Sequence, residues 1–309
     1  MPGAGAITIT GLTKSFGGNI AVDNLNLEVH RGELFGLVGP DGAGKTTIMR
    51  LLAAIMSPDS GEAWIAGSSI LHEGERVKEK IGYMSQRFGL YEDLTVMENI
   101  LFYADLYEVP KKERPARIER LLGFSNLTPF RERLAGKLSG GMKQKLGLAC
   151  ALIHTPEVLF LDEPTNGVDP VSRRDFWRIL YNLLKERVTI FVSTAYLDEA
   201  ERCTRIGLIH KGRLIMTDNP AKIRRSVPLE MVEIWATDAR KAAEAAKGMA
   251  GVKDVSVYGN RFHAALAEPG SADRIMEQLK EKGIAVTDYR PVLPSLEDVF
   301  ISIVRGSEL

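Results

Sequence analysis

The 309 residues are 45% hydrophobic and 26% charged, with 40 Lys plus Arg balanced by 40 Asp plus Glu. This ordinary globular composition excludes collagen-like and disordered classes and disfavours a globally basic nucleic-acid binder, and the length suits about two domains. No apolar run approaches the roughly 18 residues of a membrane-spanning helix, no basic-then-apolar leader opens the chain, and the two cysteines, Cys150 and Cys203, make no disulfide framework, so a reducing cytosol is expected.

The first segments, ITITGLTKSF and NLNLEV, alternate apolar and polar residues at period two and predict an antiparallel β-layer. LFGLVG (34–39), VLFLDE (158–163) and VTIFVST (188–194) are apolar on both faces, the pattern of central strands in a parallel sheet covered on both sides. Helical stretches lie between them, at Thr46–Met56 and Ser172–Lys185. From about 88 to 155 strand signals fade and helical segments dominate, with KKERPARIER (111–120) as a solvated face, so an inserted helical subdomain is expected. A second domain starts near Ser226-Val227-Pro228. In it EMVEIWAT reads as strand, ARKAAEAAKGMA as helix, VKDVSVYG and RFHAALAE as a hairpin around Gly259-Asn260, ADRIMEQLKEKG as helix and IAVTDY as strand. That βαββαβ order is ferredoxin-like. Ser295 is placed to N-cap a last helix that carries Leu296, Val299, Phe300 and Ile303 at helical spacing. The expected fold is therefore α/β over 1–226, with a mostly parallel sheet, an antiparallel β-layer and a helical subdomain, followed by a small ferredoxin-like α+β domain over 227–309.

Gly39-Pro40-Asp41-Gly42-Ala43-Gly44-Lys45-Thr46 matches G-x-x-x-x-G-K-[ST] between a strand and a helix, the context of a phosphate loop. Glycines at 42 and 44 let backbone N–H groups face phosphates, and the helix N-terminus adds positive potential. Lys45 then reaches the β- and γ-phosphates of ATP, Thr46 ligates Mg²⁺, and Thr47 is placed for the α-phosphate. Asp41 adds a negative charge beside the nucleotide, and an outward orientation is expected for it.

Leu138-Ser139-Gly140-Gly141-Met142-Lys143-Gln144 follows, then the apolar strand that ends in Asp162-Glu163. A phosphate loop, an LSGG-x-x-Q segment and an apolar strand closed by Asp-Glu, in this order and spacing, resemble the ATP-binding cassette (ABC) ATPases over about residues 7–225. The resemblance implies a phosphate-loop nucleotidase cassette fold and a role for each residue. Asp162 holds Mg²⁺, Glu163 is general base for the attacking water, and Gln86 senses Mg²⁺ and the γ-phosphate. Phe16, before Gly17-Gly18, stacks on adenine, unless it is simply a core side chain. Asp169, in Asn166-Gly167-Val168-Asp169, faces an opposite subunit. Ser139, Gly140 and Gly141 bind the ATP held by a second cassette, not the one on this chain's own Lys45, so a dimer of cassettes is implied.

One position departs from the family pattern. In Ser193-Thr194-Ala195-Tyr196-Leu197-Asp198-Glu199-Ala200, Ala195 stands where the family usually has a histidine that bonds the γ-phosphate. Three accounts compete: a pair with a second cassette whose histidine is intact, which the reading favours; a slow homodimer with another group standing in; or a lineage substitution of little effect. The second cassette is expected on a separate chain. Without a membrane span, a transporter role needs integral-membrane permease subunits at the inner face of the cell membrane. The segment 88–99 resembles the surface that receives them, with Tyr91 and Leu94 as anchors or as subdomain core. GPDGAGKTT, FGLYEDLTVMEN and LAGKLSGGMKQKLGLAC further resemble ABC-2 exporters of drugs or polysaccharides, most of all the amino-terminal cassette of fused two-cassette multidrug exporters, and the region with SLEDVF resembles their small accessory domain. The alternatives are a non-transport cassette acting on ribosomes or DNA, disfavoured by the balanced charge, and a regulatory ATP-binding module that barely turns over. The five histidines show no metal-ligand spacing.

Overall fold

The computed structural model describes residues 5–87, 89–226, 230–267 and 270–307, which divide into two compact units, Met1–Asn219 and Pro220–Leu309. Phe88, at one end of the segment assigned to permease docking, and Val227 and Pro228, at the expected domain boundary, lie outside the described residues.

In the first unit β1 (Ile7–Phe16) and β2 (Asn19–Val29) form an antiparallel ribbon that turns at Gly17 and Gly18, both at positive φ. β3 (Leu34–Val38) leads through the phosphate loop into α1 (Lys45–Leu52), and β4 (Ser60–Ile65) and β5 (Ser68–Ser69) complete the layer. α2 (Gly74–Lys80), β6 (Ile81–Met84), α3 (Val96–Leu106), α4 (Arg114–Ser125) and α5 (Gly140–Leu152) follow. Then come β7 (Val158–Asp162), α6 (Pro170–Lys185), β8 (Thr189–Thr194), α7 (Leu197–Ala200), β9 (Arg205–His210) and β10 (Arg213–Asp218).

The antiparallel layer runs β2-β1-β4-β5. The second sheet runs β10-β9-β3-β8-β7-β6, parallel except for β10. Every residue of β3, β7 and β8 is buried, which is why these strands read as continuous apolar runs. Phe35 stacks on Phe191 at 5.3 Å, and Phe160 meets Phe191 edge-on at 5.7 Å. α1 stops four residues before the Met56 end expected for it: Ala54 takes φ +52, a left-handed conformation that ends a right-handed helix. Thr95 caps α3 in a reciprocal box with Glu98.

In the second unit α8 (Pro220–Ser226) precedes β11 (Glu230–Ala236), α9 (Ala239–Lys247), β12 (Val252–Tyr258), β13 (Arg261–Leu266), α10 (Ala272–Glu281), β14 (Val286–Val292) and α11 (Leu296–Ser307). The antiparallel sheet β12-β13-β11-β14 gives βαββαβ in ferredoxin-like order. α8 packs on α11, which is why it groups with this unit although the sequence places the division after residue 226. Ser295 accepts the Asp298 N–H at 3.1 Å and donates its own N–H to the Asp298 carboxylate at 2.8 Å, capping α11.

Val232, Ile234, Phe262 and Ala264 face the apolar sides of α9 and α10. Glu233 points the other way and is buried. Its carboxylate receives Arg290 at 2.7 and 2.9 Å, Arg261 at 2.8 Å and His263 Nε2 at 3.2 Å. Burial pushes the Glu233 pKa up, but the bonds from Arg290 and His263 and the charge of Arg261 outweigh it and hold the group below the ordinary carboxylate range. A depressed folded pKa gives stability that is present above the unfolded value and is lost as pH falls through the folded one. We expect Glu233→Gln to cost about 1–3 kcal/mol at neutral pH, since the half-exposed guanidiniums still reach water. Urea unfolding followed from about pH 7 to well below pH 4 should show the gap between wild type and variant held down to the ordinary carboxylate range and closing below it, as the carboxylate protonates.

Candidate functional site

The phosphate loop is set by two close approaches. Gly44 has φ +102, and a Cβ there would lie 2.2 Å from the Ala21 carbonyl oxygen; a Cβ on Gly39 would lie 2.3 Å from that of Ile209. Gly42 takes φ +77 in open space. The loop is pinned to the parallel sheet by the Gly39 N–H, which donates to Thr194 O at 3.3 Å, and to the β9–β10 turn by the Gly212 N–H, which donates to Ala43 O at 3.0 Å. Gly44 offers α1 no side-chain cap, so the first-turn amides, those of Lys45, Thr46 and Thr47 among them, lack intrahelical acceptors and face outward from the helix end. Asp41 is exposed and Thr47 half-buried.

Lys45 is buried, and its ammonium donates to Gly39 O at 2.8 Å and to Pro40 O at 3.1 Å. It also lies 3.0 Å from Glu163 Oε1. The other Glu163 oxygen accepts the Gln86 amide at 3.0 Å, so one carboxylate joins the loop lysine to the exposed residue after β6. Asp162, at the end of β7, accepts Thr46 Oγ1 at 3.2 Å and Ser193 Oγ at 2.7 Å. Burial, helped by the charge of Glu163, raises the Asp162 pKa against those two hydrogen bonds and the charge of Arg50. Glu163 itself has φ +48, a left-handed conformation costly for a residue with a Cβ. Its N–H donates to Ser193 Oγ at 3.0 Å and to Ser193 O at 3.2 Å, which holds it there.

The donor set fits a polyphosphate with a hard divalent cation. Free amides at a helix end and a buried ammonium suit phosphate oxygens, and the Thr46 hydroxyl beside the Asp162 carboxylate supplies the oxygen ligands Mg²⁺ prefers. A carboxylate beside the same space can take a proton from water.

Other expected residues lie apart from this cluster. Ser139 caps α5 by accepting the Met142 N–H at 3.4 Å, and Ser139 and Gly140 are exposed. Gly141 is where α5 meets α6: a Cβ there would sit 2.4 Å from Ser172 Oγ. No described hydrogen bond joins these three residues to the phosphate loop. Phe16 is 47% exposed, with Lys14 Nζ 5.6 Å from its ring centre, so it is not a core side chain. Asp169 caps α6, accepting the Val171 and Ser172 N–H groups at 3.1 and 3.0 Å. Ala195 is exposed and follows Thr194, whose carbonyl receives the first loop amide, so position 195 adjoins the phosphate loop.

The sequence reading overlooked Ser193, which bonds both acidic neighbours, and Glu199, fully buried on α7. Both lie in the segment around Ala195, so the clue was present. A charged residue in LDEA ordinarily reads as a solvated face.

Residues 22–166 match the family model described as ABC transporter, and residues 219–304 match that described as ATP-binding protein DrrA1-3-like, C-terminal domain. Over 305 residues the chain is 42% identical to the probable multidrug ABC transporter ATP-binding protein YbhF of Escherichia coli (strain K12), covering 97% of this chain and 52% of YbhF. The chain thus spans about half the length of that relative. It is 33% identical over 305 residues to the bacitracin transport ATP-binding protein BcrA of Bacillus licheniformis, covering 98% of each. Among solved structures, a dimeric post-hydrolysis state of the ATP-binding cassette MJ0796 bound to ADP and Pi aligns with TM-score 0.62 and 26% identity, over 69% of this chain and 98% of that one.

Proposed function

The chain belongs to the ATP-binding subunits of ABC transporters, and from that premise we propose that it binds and hydrolyses ATP to power an exporter of the ABC-2 type. The observation that carries the reading is the join of Lys45, Glu163 and Gln86 beside the Thr46–Asp162 pair. Lys45 and the loop amides bind the β- and γ-phosphates. Glu163 takes a proton from water as that oxygen attacks the γ-phosphorus, and the bond to the β–γ bridging oxygen breaks to release ADP. Thr46, Asp162 and Gln86 would hold Mg²⁺, which would supply positive charge to offset that developing on the phosphate oxygens.

Ser139, Gly140 and Gly141 serve the nucleotide of a second cassette. Ser139 and Gly140 are exposed at the start of a helix, and none of the three residues has a described hydrogen bond to this chain's own loop, which supports that reading. The membrane partner is a permease that docks beside Tyr91, 48% exposed and 4.5 Å from the Phe102 ring, and half-buried Leu94. No described helix is long and apolar enough to cross a membrane, so the substrate path belongs to that partner, at whose cytoplasmic side the cassette works. Drugs and other lipophilic or polysaccharide molecules are the substrate class.

Ala195 offers the γ-phosphate no polar side chain, so the site on this chain is slow, and the pair includes a cassette with an intact histidine. Steady-state ATPase of the full chain tests this, with Glu163→Gln as blank. Wild type should sit close to the blank and Ala195→His should gain on the order of a hundredfold. A wild type far above the blank, with little gain from Ala195→His, replaces the asymmetric pair by a self-sufficient homodimer.

A further inference from the structure

Beside Ala195 the structure holds a closed set of contacts that the reaction scheme above does not use. The Tyr196 hydroxyl donates to Asn166 Oδ1 at 3.4 Å, in the turn after Glu163. Its ring lies 4.9 Å from the Arg173 guanidinium of α6, and its N–H donates to Thr194 Oγ1 at 2.9 Å. Arg173 Nε is 3.4 Å from Glu199 Oε1. The buried Glu199 carboxylate accepts Thr165 Oγ1 at 2.6 and 2.7 Å and Thr194 Oγ1 at 3.1 Å. Thr165 and Asn166 are neighbours, so the circuit closes through the turn, and the Asn166 N–H donates to Glu163 O at 3.2 Å.

We propose that Tyr196 is a positioning residue for hydrolysis: its hydroxyl, through Asn166, holds the turn that aims the Glu163 carboxylate. The proposal rests on the ATPase reading of the site. Two observations carry it. Glu163 sits at φ +48, and such a conformation persists only where its surroundings over-determine it. On one side Ser193 holds its N–H. On the other, the turn is held by its own local backbone bonds, by the buried Gln144 amide, which donates to Pro164 O, and by anchors at Thr165 and Asn166. Asn166 is exposed, and the tyrosine hydroxyl is its only described side-chain partner. The ring that presents the hydroxyl is itself braced by Arg173, whose charge is fixed by a carboxylate with no access to solvent. A charged group in that place is costly unless paired, and here the pairing ties α6, α7, β8 and the turn together.

The test uses Tyr196→Phe, which keeps the ring and the Arg173 contact and removes only the hydroxyl. Kinetics are run in the Ala195→His chain, where turnover is high enough to resolve. The expected result is a fall in kcat of about tenfold, with KM for MgATP and the affinity for a fluorescent ATP analogue unchanged, since the carboxylate is misplaced but the phosphate loop is not. Asn166→Ala should give a similar fall, and the double variant no further loss, because both remove one link. Hydrogen exchange of amides 165–168 in the otherwise wild-type chain should quicken in Tyr196→Phe. An unchanged kcat, losses that multiply in the double variant, unchanged exchange, or a parallel loss of nucleotide affinity each overturn the proposal. Failure of the underlying reading looks different: the Ala195→His chain would turn over no faster than Ala195→His with Glu163→Gln, and the proposal would fall with it.

Discussion

Glu163→Gln should leave ATP affinity intact while cutting turnover of the Ala195→His chain by about 10²–10⁴-fold, the usual worth of a positioned general base. Glutamine keeps the shape of the side chain, and its amide oxygen can still face Lys45. It cannot accept a proton from water at neutral pH. The separation of binding from chemistry is expected because loop and carboxylate reach the site from different elements: Gly39–Thr47 is shaped by β3, α1 and the approach to Ala21, whereas Glu163 hangs from β7 and Ser193. Titration with a fluorescent ATP analogue beside a phosphate-release assay reads both quantities. A variant that lost affinity and turnover together would place Glu163 in nucleotide binding instead.

Gly44→Ala should abolish tight nucleotide binding, with affinity falling by at least on the order of a hundredfold through misplaced loop amides. Two costs coincide there. A φ of +102 is outside what alanine readily adopts, and the new Cβ would lie 2.2 Å from the Ala21 carbonyl oxygen, a backbone atom with no rotamer to yield. The loop must move, and the amides of the α1 start move with it. Gly42→Ala is the control: φ is +77, but nothing lies within 4 Å. That variant should pay only the conformational strain, about 1–3 kcal/mol, and bind ATP with a modest loss. Isothermal titration with a slowly hydrolysed ATP analogue distinguishes the two. Equal losses would mean that local strain, not the contact with Ala21, governs the loop.

The parts of this protein written in consecutive residues are legible without coordinates. The phosphate loop is one: strand, turn glycines, lysine and threonine adjoin, and the proposed binding groups are backbone amides at a helix end, so spacing alone points to the chemistry. The central strands are another, because burial on both faces demands apolar residues at every position of β3, β7 and β8. In the second unit, period-two strands and amphipathic helices declare the order βαββαβ, and Ser295 announces the last helix. The extent of α1 escaped that reading, since apolar spacing continues past the backbone reversal at Ala54.

Sequence by itself therefore determined most element types, the family pattern, and which residues are candidates for phosphate and proton chemistry, all of them matters of local spacing. Only the tertiary structure decided who meets whom. Gln86 reaches Glu163, Thr46 reaches Asp162, and Ser193 braces both acidic neighbours because parallel strands distant in the chain end side by side. Buried charges show the difference most sharply. Glu199 and Glu233 look like surface acids along the chain, yet each is buried and held by partners from other elements: Thr165, Thr194 and Arg173 for one, Arg261, His263 and Arg290 for the other. The cost of burying a carboxylate depends on what surrounds it in space, and no local pattern in the chain records that.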